Sequence, residues 1–167
     1  MVATRIYIGL GANIPGPAGP PRATLEAALA RLEAAGVGIA KRSRWYRSPA
    51  WPDPSDPVFV NAVVEVETGL SAGALLELLH KIEAELGRAR PAPNAPRAID
   101  LDLLDYKGVV EADPAGPILP HPRLHLRAFV LLPLAEIAPD WRHPVSRRLV
   151  GELIAALPPD AAAKPLE

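Results

Sequence analysis

From Arg5 to Tyr106 the spacing of apolar residues switches between two periods in a fixed order, and few folds accommodate that order. Arg5 to Leu10 reads as a short strand running into a glycine-bearing exit. Leu25, Ala28, Leu29 and Leu32 then recur at helical spacing, and Gly36 stands where a left-handed helix end would fall. Val37 to Ser48 and Val58 to Thr68 read as strands, the second with Val58, Val60, Ala62, Val64 and Val66 in period two. Ser71 can cap a second helix whose face is Leu75, Leu78, Leu79, Ile82 and Leu86, with Gly87 suited to ending it. Ala98 to Tyr106 closes the series as a strand, with Ile99, Leu101 and Leu103 on one face and Asp100 and Asp102 on the other.

Strand, helix, strand, strand, helix, strand is the order of a ferredoxin-like split βαβ sandwich. This is an α+β fold whose antiparallel sheet carries helices on one face and leaves the other free for a site. Leu124 to Ile137 and Arg147 to Leu157 read as C-terminal helices, the first interrupted at Pro133, which lacks the N–H a helix interior needs. No repeat and no second boundary is visible. Residues 1–167 are therefore expected to form one domain, with 158–167 as a weakly ordered tail. Most of the 21 prolines lie between the periodic runs, four of them from Pro49 to Pro57, and read as stiff loops rather than disorder.

Composition excludes several functions. The 18 Lys and Arg nearly balance the 19 Asp and Glu, so no global basic field argues for nucleic acid or an anionic membrane as partner. The lack of cysteine excludes a disulfide framework, a thiolate zinc site and a cysteine nucleophile. No secretory leader or membrane-spanning run is visible, so a cytoplasmic protein is expected, and a monomer is compatible with the sequence. A phosphate-binding glycine loop followed by Lys and Ser or Thr is absent, as is a nucleophile elbow.

The remaining chemistry falls into three groups. Asp100 and Asp102, two apart on a strand, project to one side with α-carbons roughly 7 Å apart, close enough to serve one magnesium ion or a close pair shared with substrate phosphates. Asp-x-Asp alone equally suits a solvated strand face. Arg88, Arg90 and Arg97 precede it in a loop punctuated by Pro91, Pro93 and Pro96, where guanidinium groups could grip phosphate and close over a nucleotide. His121, between Pro120 and Pro122, opens a second cationic cluster with Arg123, His125 and Arg127, without the spacing of a zinc site. The third group is Trp45, Tyr46, Trp51, Phe59 and Asn61. A flat heteroaromatic could stack there while Asn61, which interrupts an apolar run, reads its edge; Trp45 and Phe59 individually also suit a core. A metal-dependent nuclease could use the same carboxylates, and a ferredoxin-like RNA-binding module the same aromatics, although acidic residues on the face disfavour the latter.

The motifs in combination resemble one family. Gly9-Leu10-Gly11-Ala12-Asn13, Tyr46-Arg47-Ser48-Pro49, Phe59-Val60-Asn61-Ala62, Ile82-Glu83 with Gly87-Arg88, Pro96-Arg97-Ala98-Ile99-Asp100-Leu101-Asp102-Leu103-Leu104, Pro120-His121-Pro122 and Arg127-Ala128-Phe129 follow at the distances of the 6-hydroxymethyl-7,8-dihydropterin pyrophosphokinases. The resemblance implies transfer of the ATP diphosphate to the pterin hydroxymethyl oxygen, with AMP released. It implies two magnesium ions bound with ATP on Asp100 and Asp102, and catalytic roles for these aspartates with Arg88 and Arg97. It further implies an ATP site of Glu83, Arg88, Arg90, Leu103, His121 and Arg127. The pterin pocket it implies is formed by Ser48, Pro49, Trp51, Phe59, Asn61 and Phe129, the two phenylalanines sandwiching the ring.

Overall fold

A computed structural model describes residues 5–49, 57–87, 99–112, 116–159 and 161–166. The strands are β1 (Ile6–Ala12), β2 (Gly38–Arg42), β3 (Tyr46–Ser48), β4 (Phe59–Glu67), β5 (Asp100–Tyr106) and β6 (Lys164–Pro165). The helices are α1 (Pro21–Ala34), α2 (Ala72–Glu85), α3 (Ala128–Ile137) and α4 (Val150–Ala155), with a 3₁₀ turn at Leu124–Leu126. The sheet is antiparallel in the order β5-β1-β4-β3-β6, and β2 lies beside β3 along the same edge of β4.

The helix ends follow their sequence signals. The Ser71 hydroxyl accepts from the Ala74 N–H at 3.1 Å, and Gly36 and Gly87 take the positive φ angles, 89° and 99°, that end α1 and α2.

Period two along β1, β4 and β5 sorts their side chains onto two faces. Ile6, Ile8, Leu10, Ala62, Val64, Val66, Leu101 and Leu103 pack with Leu25, Leu29, Leu32, Leu75, Leu79 and Ile82 of α1 and α2 in a continuous core. The other face divides. Tyr7, Val63 and Leu104 are buried under α3, α4 and Trp141, whereas the end of the sheet holding Gly11, Phe59, Asn61 and Asp100 lies beyond them. The C-terminal helices thus leave only part of that face for a site. A bulge lets this happen on β5: Ile8 pairs with Leu103 and Tyr7 with Asp105, so Leu104 and Asp105 both serve the α3 side.

Four local expectations are revised. The single strand over Val37 to Ser48 divides into β2 and β3. At the break the Ser43 hydroxyl accepts the Val63 N–H at 3.0 Å and so substitutes for a ladder carbonyl. Pro133 does not interrupt α3, because it removes a single N–H and the helix runs through it; the break comes earlier, at Arg127, between the 3₁₀ turn and α3. The last helix begins at Val150 rather than Arg147, whose φ of 65° is not helical. Residues 158–167, expected as a weakly ordered tail, include β6, which pairs with β3, and Leu166, whose N–H donates to the Trp45 carbonyl at 2.8 Å. No helix among the described residues is long and apolar enough to cross a membrane.

Candidate active site

The register of the sheet brings the acidic and amide residues into one row. Gly11 pairs with Asp100 on one side and with Asn61 on the other, and Asn61 pairs in turn with Tyr46. Asp100 and Asn61 are therefore two strand spacings apart, about 10 Å, with a residue lacking a side chain between them. The fit at that glycine is close: a Cβ on Gly11 would stand 3.0 Å from Asn61 Nδ2, so the amide would have to give, whereas Phe59 Cδ1 at 3.8 Å would be in ordinary contact. Gly11 is the site residue whose role the sequence reading did not single out, although its signal, a glycine inside an apolar strand, was present.

On the β5 side a cleft of about 400 Å³ is lined by Asp100, Asp102, Glu83, His121, Arg127 and Ile118 among others. Asp102 faces His121 Nε2 at 3.9 Å and Arg127 Nη1 at 3.8 Å, both beyond hydrogen-bond length. The His121 backbone N–H donates to the Leu104 carbonyl at 2.9 Å, which ties the loop to the bulged strand. Burial, reinforced by the Arg127 guanidinium and opposed by Asp100, pushes the His121 imidazole down to about 4. It is therefore neutral near pH 7. Its Nδ1 accepts the Arg123 N–H at 3.1 Å, so its proton sits on Nε2, the atom toward Asp102.

Glu83 is 2 % exposed and accepts the Leu101 N–H at 2.7 Å, so it pins α2 to the strand between the two aspartates. Leu103 borders the cleft while its side chain belongs to the core with α1 and α2. The cationic cluster expected after His121 divides. Arg127 reaches the cleft, Arg123 is exposed, and His125 turns to the His143 ring, 5.6 Å between centroids. Arg88, Arg90, Arg97 and Trp51 lie outside the described residues.

On the β3 side, Ser48 is buried and its hydroxyl donates to Asn61 Oδ1 at 2.7 Å. This orients the amide with Nδ2 over Gly11. Phe59 and Phe129 are half-buried, Pro49 is exposed, and the Arg127 guanidinium lies 5.4 Å from the Phe129 ring centroid. Trp45, by contrast, is core, capped by the guanidinium groups of Arg22 and Arg42. A strut that sequence could not reveal runs from α3: Glu136 accepts the Tyr46 hydroxyl at 2.6 Å and the Arg44 N–H at 2.7 Å. These partners are about ninety residues apart, beyond any local pattern.

The donor set suits a hard cation shared with a substrate. Two aspartates line the cleft beside Glu83, which accepts the Leu101 N–H, and no group of three or more His, Asp or Glu side chains poised for a metal occurs among the described residues. That is the ligation magnesium takes when phosphates and water complete its shell.

The fold is one seen before. A crystal structure of Plasmodium falciparum HPPK-DHPS with pteroate superposes with a TM-score of 0.70 at 14 % identity, over 90 % of this chain and 44 % of that one. The chain is thus of the ferredoxin-like α+β class. Residues 7–139 match the 7,8-dihydro-6-hydroxymethylpterin-pyrophosphokinase family, and the chain belongs to it. Two proteins named 2-amino-4-hydroxy-6-hydroxymethyldihydropteridine pyrophosphokinase are similar to it. That of Methylorubrum extorquens is 43 % identical over 93 % of this chain and 95 % of its own length. That of Synechocystis sp. is 42 % identical over 88 % of this chain and 73 % of its own length. Membership makes the chain an ATP-dependent diphosphotransferase of folate biosynthesis.

Proposed function

We propose that the cleft and the open end of the sheet form one active site. There this chain transfers the β,γ-diphosphate of ATP to the hydroxymethyl oxygen of 6-hydroxymethyl-7,8-dihydropterin and releases AMP. The observation that supports this reading is the row Asp100, Gly11, Asn61, in which a carboxylate and an amide stand about two strand spacings apart with a glycine between.

In this reading Asp100 and Asp102 hold magnesium, two ions with ATP bound, which supplies charge neutralisation on the phosphate oxygens. Arg127 and the neutral His121, donating from Nε2, serve the same oxygens from the other wall of the cleft. Arg88, Arg90 and Arg97 keep the roles that the resemblance implies: Arg88 and Arg97 catalytic at the transferring diphosphate, Arg88 and Arg90 with ATP. Glu83 acts through the strand it pins, and Leu103, whose side chain lies in the core, through the backbone it presents at the cleft. Phe59 and Phe129 sandwich the pterin and Ser48, Pro49 and Trp51 keep the pocket roles that the resemblance implies, while Asn61, held by Ser48, reads its hydrogen-bonding edge. The pterin oxygen attacks the β-phosphorus in line and AMP leaves, with no covalent enzyme intermediate. The chain acts as one domain, as a monomer, in the cytoplasm, and binds neither nucleic acid nor membrane.

Incubation with magnesium, ATP and the reduced hydroxymethylpterin tests the reaction through its nucleotide product. AMP is expected in equal amount to pterin diphosphate; ADP, or hydrolysis of ATP without a pterin product, would overturn the reading.

A further inference from the structure

β3 is three residues long, and a strand so short is poorly held by one neighbour. Its residue Ser48 nevertheless fixes the Asn61 amide, so the pocket wall is only as well positioned as this strand. On its inner side β3 pairs with β4, and the Tyr46 hydroxyl reaches Glu136 of α3. On its outer side Lys164 pairs with Arg47 and Pro165 with Tyr46. The Leu166 N–H then donates to the Trp45 carbonyl at 2.8 Å, and its side chain packs against the α1 and α2 core. This segment lies outside residues 7–139, the part of the chain that matches the family.

We infer that β6 and Leu166 are a brace for the pterin wall, with Leu166 a positioning residue for pterin recognition. The inference rests on the assignment of the open end of the sheet to the pterin. Two strands, β4 and β1, separate β3 from β5, so the brace acts on the Asn61 side of the site and not on the aspartate cleft. A residue needed only for folding would weaken both substrates together. A brace on one wall raises the pterin KM and leaves ATP affinity unchanged.

Two substitutions in the full-length chain separate the contributions. Leu166→Pro removes the N–H that bonds Trp45, and Leu166→Ala keeps it while removing packing. Leu166→Pro is expected to raise the pterin KM about fivefold or more, the size of one hydrogen bond lost, with ATP affinity within about twofold of wild type. Leu166→Ala moves the pterin KM in the same direction by less. An unchanged pterin KM in folded Leu166→Pro overturns the brace, as does a parallel loss of both affinities. Should Leu166→Pro not fold, Leu166→Ala decides by the same two criteria. Asn61→Ala serves as control: if pterin affinity survives it, the pocket assignment itself fails, whereas loss there with no effect at Leu166 removes the brace alone.

Discussion

The two ends of the sheet face beneath α3 are built from the same strands with the same alternation, yet one is sealed throughout and the other opens at Asp100 into the cleft while Gly11 and Asn61 beside it are buried. At the sealed end the inward positions are Tyr7, Val63 and Leu104, all at most 1 % exposed and roofed by Leu131, Leu134 and Trp141. At the open end, positions of the same parity are Gly11, Asn61 and Asp100. Backbone geometry is thus shared, and the side chains decide: apolar bulk recruits a helix by burying area, whereas glycine, amide and carboxylate cannot compensate a helix for its desolvation.

The contrast breaks most sharply at the aspartates. Asp100→Asn and Asp102→Asn are each expected to lower turnover about a hundred- to a thousandfold while the melting temperature holds, since each loses a charge from a cleft position and not a packing group. Turnover at saturating and at limiting magnesium, beside thermal melts, checks this. Near-wild-type turnover for both at limiting magnesium would remove the metal assignment. Gly11→Ala comes next. It brings the bulk of the sealed end to the open one, and its methyl group must press aside the Asn61 amide that Ser48 holds. A loss of about 3 kcal/mol in pterin affinity, the upper range for overpacking, is expected by calorimetry, with ATP binding retained. Asn61→Ala should cost about 2 kcal/mol in pterin affinity, leaving ligand groups unpaired, again without effect on ATP; equal loss of both ligands would mark Asn61 as structural.

Much of this comparison was legible in the sequence, and the reasons for the rest are physical. Strand parity put Asp100 and Asp102 together because period two is local, and the helix ends were marked by Ser71, Gly36 and Gly87. The sealed half of the face was not legible. Leu104 and Asp105 share a side only through a bulge, and the Trp141 indole N–H that bonds Asp105 Oδ2 at 2.8 Å comes from a distant segment. The break at Ser43 depends on a hydroxyl choosing a backbone partner on β4, and β6 on a pairing over a hundred residues away in the chain. Both are long-range choices that no window of sequence contains. His125 illustrates the converse error: proximity to His121 in sequence suggested a shared site, yet the 3₁₀ turn at Leu124–Leu126 directs it to His143.

The smallest expected effect joins the two ends. Glu136 stands on α3, the roof of the sealed half, but its carboxylate reaches Tyr46 and Arg44 beside the open half. Burial pushes this carboxyl up, but the Tyr46 hydroxyl and the Arg44 amide and guanidinium together outweigh burial and hold its pKa below the ordinary glutamate range. A depressed folded-state pKa means that the ionised form stabilises the fold. That contribution is complete above the unfolded-state value of about 4.3 and disappears as pH falls through the lower folded-state value. Glu136→Gln should therefore lower the melting temperature by about 2 °C at pH 7, a small shift because the ion pair is partly exposed and screened. The gap to wild type should stay constant down to about pH 5 and narrow below it as Glu136 takes up its proton. The substitution should also raise the pterin KM slightly and leave ATP affinity alone, because the strut ends on β3. A gap that widens toward acid would reverse the sign of the Glu136 contribution, and an equal shift in both substrates would deny that α3 supports one wall of the site more than the other.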